Sequence, residues 1–381
     1  MDITITPRPL AGTVCPPPSK SMAHRLLICA ALAQHPTQII CPEAGADVLA
    51  TVDCLRAMGA QILATDTGYF VTPMGDVPSS AMLPCRESGS TLRFLLPVCG
   101  ALGVEATFLM EGRLPCRPLS PLWEEMERMG CRLSRPTANT LRCTGKLRPG
   151  RYRMDGSVSS QFITGLLFAL SLMDDSALEI TGQVQSRPYI EMTKQTIALF
   201  GTPGTVHVEA DWSNAAFFLA AKALGSDVTV TNLDENSTQG DRQILELLPS
   251  LQENVTISAG DIPDLIPILA VAAAANKGAV FTDTQRLRLK ESDRLAAICA
   301  MLRFLGGRAE ATDNTLTVFG TGLTGGTVDA FGDHRIAMSA AIAATVCREP
   351  VTVLGAECTA KSYPKFWEEY RRLGGILTKF A

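Results

Sequence analysis

Short β-branched runs alternate along this chain with Ala- and Leu-rich stretches of helical period, and the junctions between them recur in two forms. The first is a polar start feeding an apolar helix. In Pro16-Pro17-Pro18-Ser19-Lys20-Ser21 the prolines hold the chain extended and the serines offer capping oxygens. The run Leu26-Leu27-Ile28-Cys29-Ala30-Ala31-Leu32-Ala33 therefore predicts a helix that begins beside Lys20. Similar starts stand at Glu87-Ser88-Gly89-Ser90-Thr91, Ser157-Val158-Ser159-Ser160-Gln161, Asp211-Trp212-Ser213-Asn214, Asp261-Ile262-Pro263-Asp264 and Gly332-Asp333-His334-Arg335. Strand patterns follow four of these helices: Gln38-Ile39-Ile40, Asp227-Val228-Thr229-Val230, Ala279-Val280-Phe281 and Pro350-Val351-Thr352-Val353. The second form is a helix stop, a large apolar residue and then glycine: Met58-Gly59, Met129-Gly130, Phe200-Gly201, Leu305-Gly306 and Leu373-Gly374.

The stop glycines at 59, 130 and 201 are 71 residues apart, and those at 306 and 374 are 68 apart. A unit of two helices and several strands repeated six times predicts an α/β or α+β architecture. The third and fourth copies are short, with 54 residues from Ser159 to Ser213 and 51 from Ser213 to Asp264. Each is expected to lack a hairpin. Six copies divide as three and three. Residues 20–239 are expected to form an N-terminal domain, and residues 1–19 with 240–381 a C-terminal domain into which the strand Asp2-Ile3-Thr4-Ile5 inserts. The crossings near 19–20 and 239–241 are hinge candidates for an open-to-closed motion around ligand.

Composition narrows the function classes. The 381 residues are 46% hydrophobic, enough for two cores, and the formal charge of −4 argues against nucleic acid as a main partner. The start Met1-Asp2-Ile3-Thr4-Ile5-Thr6 has no signal-peptide pattern, and the apolar run from Leu265 to Ala275 is too short to span a bilayer, so a cytoplasmic protein without a membrane partner is expected. Twelve cysteines form no C-x-x-C pair, and four histidines show no zinc spacing. Free thiols, no metal and no cofactor are expected.

Within this acidic chain, basic residues recur at or beside the helix starts: Lys20, Arg25, Arg93, Arg117, Lys290, Arg294, Arg335 and Lys361. Taken singly, each is an ordinary solvated charge. Repeated at helix N-termini, where free N–H groups and the helix dipole already favour negative charge, they predict a focused site for a substrate with several anionic groups.

The motifs Pro18-Ser19-Lys20-Ser21 with Arg25, Ser88-Gly89-Ser90-Thr91-Leu92-Arg93, Asp155-Gly156-Ser157-Val158-Ser159-Ser160-Gln161-Phe162, Ser186-Arg187-Pro188-Tyr189-Ile190, Lys290-Glu291-Ser292-Asp293-Arg294, Asp333-His334-Arg335-Ile336-Ala337-Met338 and Cys358-Thr359-Ala360-Lys361 occur in that order. Together they resemble the 5-enolpyruvylshikimate-3-phosphate (EPSP) synthase family along nearly the whole chain. The resemblance implies a two-domain inside-out α/β barrel of six βαβαββ-like repeats, three per domain. It also implies a monomeric transferase of the shikimate pathway, which moves the enolpyruvyl group of phosphoenolpyruvate to the 5-hydroxyl of shikimate 3-phosphate and releases phosphate.

Carried over by motif, Lys20, Gly89, Arg93, Arg117, Gln161, Arg294, Arg335 and Lys361 are expected to bind phosphoenolpyruvate. Lys20, Ser21, Arg25, Ser159, Ser160, Gln161, Ser186, Tyr189, Asp264 and Lys290 are expected to hold shikimate 3-phosphate. Asp264 and Glu291 are the expected proton carriers, with Lys20 assisting. An acid role for Glu291 needs burial or substrate charge to oppose its basic neighbours, and a plain ion pair with Lys290 or Arg294 is the alternative. Gly89 matches the small residue that leaves room for glyphosate in the family, which implies sensitivity to that inhibitor. Two positions depart from the family pattern: Glu87 stands where many members have asparagine, and Arg286 where some use asparagine for shikimate 3-phosphate.

Three other readings remain to be weighed. Gly320-Thr321-Gly322-Leu323-Thr324-Gly325 matches G-x-G-x-x-G, but a strand pattern follows it where a dinucleotide site needs a helix. Cys116 beside Arg117 invites comparison with the sister enzyme that transfers enolpyruvate to UDP-N-acetylglucosamine, although that enzyme's Lys-Asn pair is missing here. A non-catalytic phosphate-binding homologue is the third.

Overall fold

The computed structural model describes residues 1–200 and 204–380. The chain forms two compact units, one of Pro18–Glu209 and one of Met1–Pro17 with the chain from Ala210 onward. Each has its own apolar core.

In the middle unit the core is built on three helices, Lys20–Leu32, Gly89–Leu102 and Ser160–Leu170. Their apolar residues run all the way round the helix, and burial follows: every residue from Thr91 to Ala101 is buried. Such helices lie inside, with the sheets around them. One sheet has the order Gly204–His207, Thr37–Ile40, Gly68–Thr72, Gln61–Thr65, and the second Ser80–Arg86, Glu105–Met110, Thr140–Gly145, Cys131–Ser134. In both, a parallel pair is extended by an antiparallel hairpin. The third sheet is only the parallel pair Arg151–Asp155 and Ala177–Thr181. This two-stranded sheet belongs to the short third copy.

The terminal unit repeats the plan with the buried helices Trp212–Ala223, Ile266–Ala275 and His334–Ala343. Two four-stranded sheets again combine a parallel pair with an antiparallel extension, and the third is the parallel pair Ala11–Val14 and Asp227–Val230. Asp2–Thr6 lies between Val351–Leu354 and Ile376–Phe380, so the first strand is an interior one.

Two expectations are corrected. The second crossing between units falls between Glu209 and Ala210, about thirty residues before the expected 239–241, and the first between Pro17 and Pro18. The cause is the pairing of Asp227–Val230 with Ala11–Val14, which commits the fourth helix and its strand to the terminal unit. The polar stretch before Gly240 is a loop within that unit. Asp264 does not open a helix: the helix begins at Ile266 behind Leu265, without a side-chain cap. The stop glycines at 59, 130, 306 and 374 all have positive φ, whereas Gly201 lies outside the described residues. Gly320–Gly325 leads into the strand Gly326–Asp329, not into a helix.

Candidate functional site

Helix starts place the middle unit's chemistry. Ser19, Ser88 and Ser159 cap the three buried helices, accepting from the backbone N–H groups of Met22, Thr91 and Gln161. Cationic side chains gather at those starts. Lys20 Nζ is 2.9 Å from Asp47 Oδ2, a partner supplied by the first turn of the helix Ala46–Ala57. Nothing local in the sequence pointed to Asp47, because it lies 27 residues away and meets Lys20 only when two helices pack.

Arg93 is 3% exposed. Its Nη1 donates to Gln161 Oε1 at 2.9 Å, its Nη2 to the Pro118 carbonyl at 3.1 Å, and its guanidinium stacks on Phe162. Gln161 in turn donates to Ser90 Oγ at 3.0 Å. The Gly89 and Ser160 helices approach so closely that a Cβ at Gly165 would overlap the Arg93 carbonyl. Gly89 serves the same end at the site itself: a Cβ there would lie 2.6 Å from Arg117 Nη1 and 2.7 Å from Arg93 Nη1. Two guanidinium groups therefore converge over a bare helix start, a geometry suited to an anion with several oxygens.

Arg25, expected to hold shikimate 3-phosphate, is engaged with oxygens of the protein. It is 2% exposed, and its donors go to Thr193 Oγ1, the Ser21 carbonyl, Thr164 Oγ1 and the Tyr189 carbonyl, all neutral oxygens. Burial pulls its pKa down to about 10. Through the two carbonyls Arg25 also ties Ser21 to Tyr189. Ser186 is buried with φ of +54°, at the start of the helix Arg187–Leu199.

In the terminal unit the cations meet carboxylates. Asp264 receives Arg294 Nη1 at 2.7 Å, Arg335 Nη2 at 3.2 Å and Lys290 Nζ at 3.5 Å. Burial opposes its charge, but the three cations overcome that and hold its pKa well below the ordinary carboxylate value. Asp264 is thus ionised and fitted to accept a proton or hold hydroxyls. Burial, aided by Arg294 and Arg286 and opposed by Asp264, brings Lys290 down to about 8.

Arg294 was expected to grip phosphoenolpyruvate. Its side chain is 1% exposed and donates to Asp333 at 2.9 Å, Glu291 at 2.6 Å and Asp264. It ties three carboxylates together, and Glu291 is held in an ion pair with it. Asp333, fully buried, also caps the His334 helix by accepting from Arg335 N, and takes Ser292 Oγ at 3.1 Å. Lys361, ending the turn Ala356–Lys361, donates to the Gly332 carbonyl at 2.9 Å. Cys116 is exposed at the end of a short turn. Among the described residues no His/Cys/Asp/Glu group has the arrangement of a metal site.

A protein-family model described as EPSP synthase (3-phosphoshikimate 1-carboxyvinyltransferase) matches residues 5–203 and 202–370. A Clostridium perfringens protein named 3-phosphoshikimate 1-carboxyvinyltransferase is 38% identical, over 98% of this chain and 99% of its own. The Clostridium kluyveri protein of the same name is 36% identical, over 100% and 99%. The solved EPSP synthase of Acinetobacter baumannii superposes with a TM-score of 0.80 at 23% identity, over 99% of this chain and 100% of that one. The enolpyruvyl transferase NikO of Streptomyces tendae gives 0.72 at 17%, over 99% and 98%. At those identities the two structures speak to the fold.

Proposed function

From the premise that the chain belongs to the EPSP synthase family, we propose how its own residues carry the reaction. The protein is a transferase that moves the enolpyruvyl group of phosphoenolpyruvate to the 5-hydroxyl of shikimate 3-phosphate and releases phosphate, in aromatic amino acid biosynthesis.

Arg93 and Arg117 take the anionic oxygens of phosphoenolpyruvate over Gly89, with Gln161 holding Arg93 in place. Lys20, Arg335 and Lys361 supply further positive charge to the same substrate, and Arg294 acts as the strut that aims Asp264 and Glu291. Shikimate 3-phosphate is held by Lys20, Ser21, Ser159, Ser160, Gln161, Ser186, Tyr189 and Lys290, with Arg25 as brace. Asp264, ionised by its three cations, takes the proton of the attacking hydroxyl. Glu291 and Lys20 serve the proton that reaches the methylene carbon. The protein works as a cytoplasmic monomer. No described helix is long and apolar enough to cross a membrane.

The observation that carries this assignment is the pair of guanidinium groups converging over Gly89. Phosphate release from phosphoenolpyruvate tests it. Release should require shikimate 3-phosphate and should fall at least a hundredfold in Arg117→Ala; release without the second substrate, or unimpaired release by the variant, refutes it. The sister reaction on UDP-N-acetylglucosamine is not favoured, because the full-length relatives are 3-phosphoshikimate 1-carboxyvinyltransferases.

A further inference from the structure

Lys20 and Gly89, both used at the proposed phosphoenolpyruvate site, stand at the starts of two different helices. A third helix, Ala46–Ala57, ties those starts together. Asp47 and Thr51 lie one turn apart on it, as Lys20 and His24 do on theirs, and the two pairs meet as rungs. Lys20 Nζ is 2.9 Å from Asp47 Oδ2, and His24 Nδ1 is 2.7 Å from Thr51 Oγ1. The second rung continues into the Gly89 helix. Thr51 Oγ1 lies 2.7 Å from Thr91 Oγ1, and Thr91 donates at 2.7 Å to Ser88 Oγ, the cap of that helix. His24, Thr51 and Thr91 are fully buried and Ser88 is 1% exposed, so solvent is not at hand to replace a lost partner.

Hydrogen counting gives the chain a direction. Each hydroxyl has one hydrogen to donate. That of Thr91 goes to Ser88, so the hydrogen between the two threonines belongs to Thr51, and the one between Thr51 and the imidazole belongs to His24 Nδ1. Burial keeps the ring neutral, which leaves Nε2 bare, and Nε2 is the ring nitrogen with no hydrogen-bond partner among the described residues. Thr51 is therefore the link that accepts from one helix and donates to the other.

We propose that Thr51 is a positioning residue for phosphoenolpyruvate binding: its hydroxyl sets the spacing between the Lys20 start and the Gly89 start, so that Lys20 and the guanidinium groups of Arg93 and Arg117 address one anion. Valine has the shape of threonine but can neither accept nor donate. In its place the His24 N–H and the Thr91 oxygen face a methyl group, and the two helices shift to regain partners. The inference rests on the proposed roles of Lys20, Arg93 and Arg117 toward that substrate.

The test measures kcat, KM for phosphoenolpyruvate and urea melts in the full-length wild type, Thr51→Val, Thr51→Ser and Thr51→Ala. Thr51→Val should raise KM about tenfold with kcat changed less than about threefold, and Thr51→Ser, which keeps the hydroxyl, should stay within about threefold of wild type in both. Thr51→Ala needs less room than valine and should raise KM alike, which keeps the proposal exposed if Thr51→Val fails to fold. A purely structural hydroxyl would lower the urea midpoint in Thr51→Val and Thr51→Ala and leave KM where it was; that result overturns the proposal. So does a KM raised as much by Thr51→Ser as by Thr51→Val, or a loss confined to kcat. A wild type that releases no phosphate from the two substrates sinks the functional reading itself, and the inference with it.

Discussion

Gly89 shows how much a missing side chain contributes at the residue scale. The two guanidinium groups above it occupy the space a methyl would take, so Gly89→Ala must displace Arg117 or Arg93 from the anion's place. We expect KM for phosphoenolpyruvate to rise tenfold or more, with a much smaller change in KM for shikimate 3-phosphate; steady-state kinetics with each substrate varied in turn checks this. Cys116 is exposed at the end of a short turn, and its neighbour in sequence, Arg117, is a cation rather than a base that could take its proton. Cys116→Ala should keep turnover within about threefold of wild type, and complete loss would revive a nucleophilic thiol. The basic residues were legible in the sequence, because cations at helix starts form a recognisable pattern. Their partners were not. Asp47 and Asp333 are ordinary residues until folding brings each against a particular cation.

At the scale of elements, the Lys20 helix is fixed by a buried polar chain as well as by apolar contact. His24 Nδ1 pairs with Thr51 Oγ1 at 2.7 Å, Thr51 with Thr91 Oγ1 at 2.7 Å, and Thr91 donates to Ser88 Oγ at 2.7 Å, linking the starts of two helices through a third. Burial, with Lys20 and Arg25 adding, holds His24 neutral well below its ordinary pKa of 6.5. The unfolded chain binds a proton there as pH falls through that value and the folded chain does not, so stability is full above it and declines below. The contribution of His24 has a slope of up to about 1.4 kcal/mol per pH unit. His24→Asn, which keeps a partner for Thr51, should lose that part of the acid sensitivity in denaturant titrations between pH 6.5 and 5. Equal slopes in the two proteins would disprove the account. Helix starts and stops were readable here because caps and positive-φ glycines act through neighbours in the chain. The exception, Asp264, shows the limit: an acidic residue before a proline-containing start looks like a cap, yet three cations claim its carboxylate.

For the whole molecule, each unit has a separate core, and only the terminal one is assembled from both ends of the chain. Residues 18–209 expressed alone should unfold cooperatively in urea. Removal of residues 1–14 from the full chain should abolish folding of the terminal unit, since it deletes an interior strand and one half of a two-stranded sheet. Circular dichroism and denaturant melts of both proteins decide the matter. A non-cooperative middle unit, or a truncated chain with two intact transitions, contradicts this division.

The chain by itself determined the repeat, its six copies, the two shortened ones and the class of chemistry, because all of these rest on local periodicity, capping and residue type. Tertiary structure alone decided where the second crossing falls, since a parallel partner more than two hundred residues away commits Asp227–Val230 to one unit. It also decided which oxygens meet each cation: Arg25 and Arg294 read no differently from Arg93 and Arg117 in sequence. The difference lies in the oxygens that packing brings against each guanidinium, and no local pattern encodes contacts made over such separations.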